Sequence, residues 1–356
     1  MKRRVPPVAL LMSAGLGIGA AIVVIAALAA HGQAPFFERG DERLFWLTTR
    51  DLFGTGHGFA ALGRTTQIPY RYGRAGLPFV AWLLALGHPG WVGVTLIAVN
   101  LVAIAAIPGL AATLLDGYDV PPVAGLVVLL VPGLLVLIKN VVAEPFLVAL
   151  ILLAYVLDQR ERRGAAKCVM AYAILVKEVA VLALVPWLWR AVKARDRAAI
   201  GRLAATLVPY AAWCAWLRWR VGEFPFLAHD ADRSGALSLP FVGIHDAIAQ
   251  HTPDYRIVVT MVLATALLGA VAAWMVRGTP LGTLAAAFTL LSVCLGPQAL
   301  RFEGETIRVL VVPQVFALLA LVQAISRQRR AMQMRSVPPG TGVTPVGPTS
   351  RSTVIG

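Results

Sequence analysis

Three groups of residues have the types and spacing to do chemistry. The first is the acidic pair Asp41 and Glu42 in GDERLFW, ahead of an apolar-aromatic run. A carboxylate there is a helix N-cap or a base that takes a proton from an acceptor hydroxyl. The second is Tyr70-Arg71-Tyr72-Gly73-Arg74, with two guanidiniums three residues apart among aromatic rings. These suit either anchoring at a membrane interface or a clamp on phosphate or pyrophosphate. The third is a set of charges inside apolar runs: Lys139, Glu144 and the dipeptide Lys177-Glu178. Charge in such a place is costly and faces a partner, a cavity or water. Glu144 before Pro145 also suits a helix start near the positive dipole end, and Lys177-Glu178 an internal ion pair.

Everything around these groups reads as membrane helix. The chain has 356 residues, 58% of them apolar, and a mean hydropathy of +0.74. Apolar runs of bilayer-crossing length recur along it, and helices satisfy their own backbone in lipid. The expected fold class is all-α: a polytopic transmembrane helix bundle of about 8–10 membrane segments. Residues 1–326 form the membrane domain, with outer loops at 31–88 and 222–255. The basic, then Pro-, Gly- and Ser-rich stretch 327–356 is expected to be a disordered cytoplasmic tail. No repeat of fixed period is visible.

The net charge of +14 comes largely from basic residues at segment ends, where lipid headgroups and the positive-inside bias account for it. Nucleic acid is therefore excluded as a partner, and the lipid bilayer is expected as one. Cys168, Cys214 and Cys294 are isolated in apolar runs and read as small core residues. The loop 222–255 holds His229, Asp230, Asp232, His245, Asp246, His251 and Asp254. Their spacing repeats no ligand motif, so they read as solvated loop residues. A metal site is not assigned, and a divalent cation remains possible as a cofactor.

Topology follows from charge and length. Val5 to Ala30 is too long for a signal-peptide core and reads as a retained first helix with Lys2, Arg3 and Arg4 inside. The basic turn Arg160–Lys167 is expected inside as well. Counting back from it puts Glu144 and Lys139 outside, 116–122 inside and His88 outside. The run Leu77–Gly87 is too short to cross, so it must begin and end on the outer side. Cys168–Trp189 is a single span or a hairpin of two half-helices; the distribution of Lys and Arg beyond residue 190 favours the hairpin. Both termini then lie in the cytoplasm. Trp213, Trp216 and Trp219 would form an outer aromatic belt, with Arg218 and Arg220 at lipid headgroups. This arrangement gathers Asp41, Glu42, Arg71, Tyr72, Arg74, His88, Lys139 and Glu144 on one side, with Lys177 and Glu178 at the hairpin tip.

A first helix, an outer loop with GDERLFW, then PYRYGRAGLPFVAWLLALG leading into a short helix, resembles the C-type superfamily of membrane glycosyltransferases. AEPFLVALILLAY and ILVKEVAVLALVPWLW are similar to bacterial members linked to cell-surface glycopolymers. The resemblance covers about residues 36–190. It implies an inverting transfer of a sugar from a polyprenyl-phosphate donor to a cell-envelope glycan, lipid or protein acceptor, at the outer face of a bacterial inner membrane. Asp41 would activate the acceptor, with Glu42 as the substitute. Arg71 and Arg74, with Lys177, would bind the donor phosphate and stabilise the leaving charge. Tyr72, His88, Lys139, Glu144 and Glu178 complete the expected substrate-binding set. Related loops often read Tyr-Asp-Gly where this chain has Gly40-Asp41-Glu42. Two other classes use the same features: a transporter or flippase of a lipid-linked or anionic substrate, and a non-catalytic envelope-assembly subunit.

Overall fold

The computed structural model describes residues 7–31, 37, 40–54, 68–138, 140–225, 237–250 and 254–336. Lys139 and 337–356 lie outside these; of the stretch 327–356 expected as a disordered tail, 327–336 instead continues the helix Val311–Ser336. Among the described residues the fold is all-helical, with a single antiparallel bridge, Leu237–Leu295. Among the described residues, four helices are long and apolar enough to cross a membrane: Val92–Asp116, Arg197–Val221, Tyr255–Met275 and Val311–Gln333. Ser13–Val24 and Pro280–Val293 are shorter apolar helices. The remaining apolar runs are shorter or broken.

The order begins with α1 (Pro7–His31) and α2 (Gly40–Arg50), then α3 (Ile68–Gly73), α4 (Gly76–Leu84) and α5 (Val92–Asp116). A 3₁₀ segment, Pro122–Leu130, leads to the single turn α6 (Pro132–Val136) and then α7 (Ala143–Gln159) and α8 (Arg163–Val176). A second 3₁₀ segment, Glu178–Leu184, leads into α9 (Val185–Lys193), α10 (Arg197–Ala205) and α11 (Val208–Val221). The chain continues through α12 (Val242–Ala249), α13 (Tyr255–Met275), α14 (Pro280–Val293), α15 (Glu303–Val309) and α16 (Val311–Ser336).

Cross-contacts sort the helix ends onto two opposite rims. Gly109 N donates to Ser13 Oγ at 3.1 Å, so α1 runs antiparallel to α5. Gln159 Nε2 donates to Leu114 O at 3.2 Å, putting the end of α7 beside the end of α5. Arg330 pairs with Asp119 at 3.6 Å, which brings the far end of α16 to that same rim. Arg160, Arg162, Arg163, Lys193, Arg195 and Arg197 are exposed there. At the other rim lie α2 to α4, the start of α7, and α12 and α15.

The segment 163–193 turns back on itself. Lys177, in extended backbone between α8 and the 3₁₀ segment, reaches Glu144 at the start of α7. Ten residues on, Trp187 Nε1 donates to Asp158 at the other end of α7, at 3.0 Å. Tyr155 OH donates to Ala183 O at 2.7 Å between these two points. The chain therefore rises along α7 and descends along it again, with the reversal at Lys177. This is the hairpin favoured by the Lys and Arg distribution.

Helix α4 does not cross. Nine residues at 1.5 Å each give only about 13 Å, well short of a hydrocarbon core. Gly76 at its start touches the tip of α8, and Thr95 Oγ1 near the start of α5 donates to Ala81 O at 2.9 Å. Both ends of α4 thus stay at the rim where α5 begins. A Cβ on Gly76 would lie 2.6 Å from Val176 N, so only glycine permits this approach.

Helix α2 lies against α4 and the start of α5. Phe45, Thr48 and Thr49 are buried, and each hydroxyl returns to a carbonyl one turn back. Phe37 stacks on Trp46, and Arg50 covers the same indole at 4.6 Å. The tryptophans of α11 differ from the expected lipid-facing belt. Trp213 and Trp216 stack at 4.6 Å, Trp216 meets Phe53 edge-on, and Trp213 Nε1 donates to Tyr72 O at 2.6 Å. They clamp α3 to the bundle; Trp219 alone is strongly exposed.

Candidate functional site

Three of the charges inside the apolar runs, Glu144, Lys177 and Glu178, land at the rim that holds α2 to α4. Lys177 Nζ lies 2.7 Å from Glu144 Oε1, and the two side chains are 9% and 3% exposed. The same carboxylate oxygen lies 3.4 Å from Arg308 Nε, on α15. Arg308 Nη2 also meets Glu305 at 2.7 Å. Next to this group, Arg74 grips Glu178 with two N–H groups, Nη2 at 3.1 Å and Nε at 3.4 Å. Arg74 is buried, while the Glu178 side chain is 39% exposed.

Local sequence explains how each charge arrives. Glu144 sits in the first turn of α7, where the dipole favours a carboxylate and Pro145 needs no N–H partner. Lys177 and Glu178 occupy the break between α8 and the 3₁₀ segment, so consecutive side chains diverge to different partners. Arg74 occupies the two-residue link between α3 and α4. Tyr72 secures that link: it is fully buried, and its hydroxyl donates to Asp51 O at 2.7 Å. Tyr172 OH donates to Gly76 O at 2.6 Å from the hairpin side.

A cleft opens beside the Arg74–Glu178 pair, lined by Leu44, Phe45, Thr48, Arg71 and Arg74. Residue 41 lies one helical turn before residues 44 and 45 and shares their face by register. Helix α2 begins at Gly40, so Asp41 is its second residue, two positions after the cap rather than the cap itself. Glu42 is half-buried beside it.

The structure therefore brings together Arg74, Glu144, Lys177 and Glu178, with Arg71 at the cleft. Tyr72 belongs to the supporting packing, its hydroxyl committed to a backbone carbonyl. His88 sits apart in an exposed turn between α4 and α5. Lys139 lies outside the described residues. Arg308 is the member that sequence reasoning missed. Its signal was the charged stretch Glu303-Gly304-Glu305-Thr306-Ile307-Arg308 between two apolar runs, legible only as a loop because Glu144, the partner that joins it to the site, lies 164 positions away. Arg220, placed by sequence at lipid headgroups, donates to Gly54 O at 2.6 Å and ties α11 to the end of the α2 region.

Electrostatically, Arg74 meets Glu178, Lys177 meets Glu144, and Arg308 meets both Glu144 and Glu305. Bringing ions out of water costs several kcal/mol each unless they are paired, and the pairs seen here meet that cost. The pairing also fixes the cations in place, as an anion site requires. Among the described residues, no group of three or more His, Cys, Asp or Glu comes together to hold a metal ion. No protein-family model, no curated protein and no solved structure matches the chain.

Proposed function

We propose that this chain is a membrane glycosyltransferase that moves a sugar from a polyprenyl-phosphate donor to a cell-envelope acceptor. The observation that supports the reading best is the cleft walled by α2 and by Arg71 and Arg74, with Lys177, Glu144 and Arg308 behind it. A phosphodiester needs fixed guanidinium or ammonium donors at the height of its headgroup. A sugar acceptor needs a base on the opposite side of the reacting carbon. Asp41, or Glu42 in its place, stands on the helix that forms the facing wall.

In the proposed reaction the acceptor hydroxyl loses its proton to the carboxylate on α2. Its oxygen attacks the anomeric carbon, and the bond to the phosphate oxygen breaks. Arg71 and Arg74 then stabilise the polyprenyl phosphate that leaves. Glu178 and Glu144 act as positioning residues, holding Arg74 and Lys177 in geometry. The transfer site would face the periplasmic side, with the basic rim in the cytoplasm.

The test is transfer in proteoliposomes from a radiolabelled polyprenyl-phosphate sugar to membrane acceptor. Expected are activity in the native chain, its loss in the Asp41→Asn, Glu42→Gln double variant, and a raised donor KM in Arg71→Gln. Turnover unchanged in both variants contradicts the reading. Movement of intact donor across the bilayer, surviving the double carboxylate variant, would instead identify a transporter.

A further inference from the structure

The second long loop contains a built apolar element beside the His and Asp residues that the sequence reads as solvated. Between 237 and 249 the chain exposes Leu237, Leu239, Phe241, Val242 and Ile248, with Leu239 75% and Phe241 54% accessible. We propose that this segment is an interfacial wedge, with Leu239-Pro240-Phe241 inserted into the lipid leaflet at the α12 rim.

Three observations carry the assignment. First, the segment is pinned to the end of the apolar helix α14. Ser238 N donates to Cys294 O and Phe241 N to Val293 O, both at 2.8 Å, at the terminus of α14. Gly243 lies so close to the Leu295 carbonyl that no side chain fits there. Ile244 and Ala247 of α12 pack with Val258, Val262, Leu295 and Leu300, which fixes the inner face of the segment. The outer face is thus held at the height where the spans end.

Second, the apolar projection is enforced. Phe241 has φ +66°, a left-handed conformation that an aromatic residue rarely adopts. Strain of this kind persists only where surrounding contacts over-determine it, and it points to use. Here it turns the Phe241 side chain outward while its N–H stays bonded to Val293.

Third, the patch continues a lipid-facing stripe. Helix α13 exposes Ile257, Leu263, Leu267, Val271 and Trp274, positions that fall on one face at 100° per residue. Helix α12 packs against the beginning of α13, so the wedge caps that stripe. A contiguous apolar surface on a membrane protein at this height is covered by lipid. This inference is independent of the glycosyltransferase reading.

The test uses the full chain in phosphatidylcholine nanodiscs, with Cys168, Cys214 and Cys294 replaced by alanine. An environment-sensitive nitrobenzoxadiazole dye is placed at Leu239→Cys, at Phe241→Cys and, as the aqueous reference, at Arg195→Cys. Quenching by a headgroup- or shallow acyl-nitroxide lipid should be at least about threefold greater at 239 and 241 than at 195. Quenching by iodide should run the other way. Iodide quenching at 239 and 241 equal to that at 195 overturns the proposal, and so does shielding from both quenchers, which would mean a protein partner. In the otherwise native chain, Leu239→Asp with Phe241→Asp should lower the melting midpoint in nanodiscs; an unchanged midpoint also overturns it.

Discussion

Replacing Glu144 by Gln should be among the most destabilising single-atom changes in this protein. The carboxylate is 3% exposed and is shared by Lys177 at 2.7 Å and Arg308 at 3.4 Å. Gln keeps the shape and one acceptor but removes the charge, leaving two cations facing a neutral amide. Removing one partner of a buried ion pair costs about 3–5 kcal/mol, because the remaining ion is desolvated without compensation. That corresponds to a shift in the unfolding equilibrium of about two to three and a half powers of ten. Arg202→Gln provides the internal reference: its pair with Asp196 is 3.7 Å long with both side chains about half-exposed, and such pairs contribute roughly 0–1 kcal/mol. The same reasoning predicts a rescue. Glu144→Leu with Lys177→Met removes both charges, leaves Arg308 paired with Glu305, and should recover much of the loss. The assay is denaturant unfolding in mixed micelles, followed by tryptophan fluorescence. If Glu144→Gln unfolds within about 1 kcal/mol of the native chain, the network is not desolvated and the reasoning fails.

Other outcomes follow from the same contacts. Gly76→Ala places a methyl 2.6 Å from Val176 N and should cost about 1–3 kcal/mol in the same unfolding assay. Tyr72→Phe removes the hydroxyl's bond to Asp51 O, which keeps its bond from Gly54 N at 3.0 Å; the loss should be about 0.5–1.5 kcal/mol and should also loosen α3, read as faster amide exchange over 68–73. Membrane-impermeant thiol reagents on intact cells should label a cysteine at position 88, in the exposed turn at the α2–α4 rim, and spare one at position 195; external labelling at 195 would reverse the orientation of the two rims.

The bundle was legible because hydropathy has a length scale. Lys and Arg at segment ends indicated the reversal near Lys177, and the shortness of 77–87 required α4 to stay at one rim. Tertiary pairing was less legible. Lys177-Glu178 read as one internal ion pair, but the helix break sends the two side chains to Glu144 and Arg74 instead. Arg308 was invisible as a partner because nothing in its own stretch refers to Glu144. Trp213 and Trp216 suit a lipid interface by type, yet they stack on each other, Trp213 donates to Tyr72 O on α3, and Trp216 meets Phe53 edge-on. The reading of 222–255 rested on its His and Asp residues, of which His245 and Asp254 are exposed as expected; it did not weigh Leu239 and Phe241, whose exposure depends on a backbone conformation that sequence does not announce.

The central claim, donor chemistry at the Arg71–Arg74 cleft, is tested most directly by following the phosphate. Purified chain incubated with a polyprenyl-phosphate sugar and membrane acceptor should release free polyprenyl phosphate in equal moles to sugar transferred. Release should cease in the Asp41→Asn, Glu42→Gln variant while that variant still binds donor. Preparations that bind the donor yet release no polyprenyl phosphate with any envelope acceptor would contradict the account.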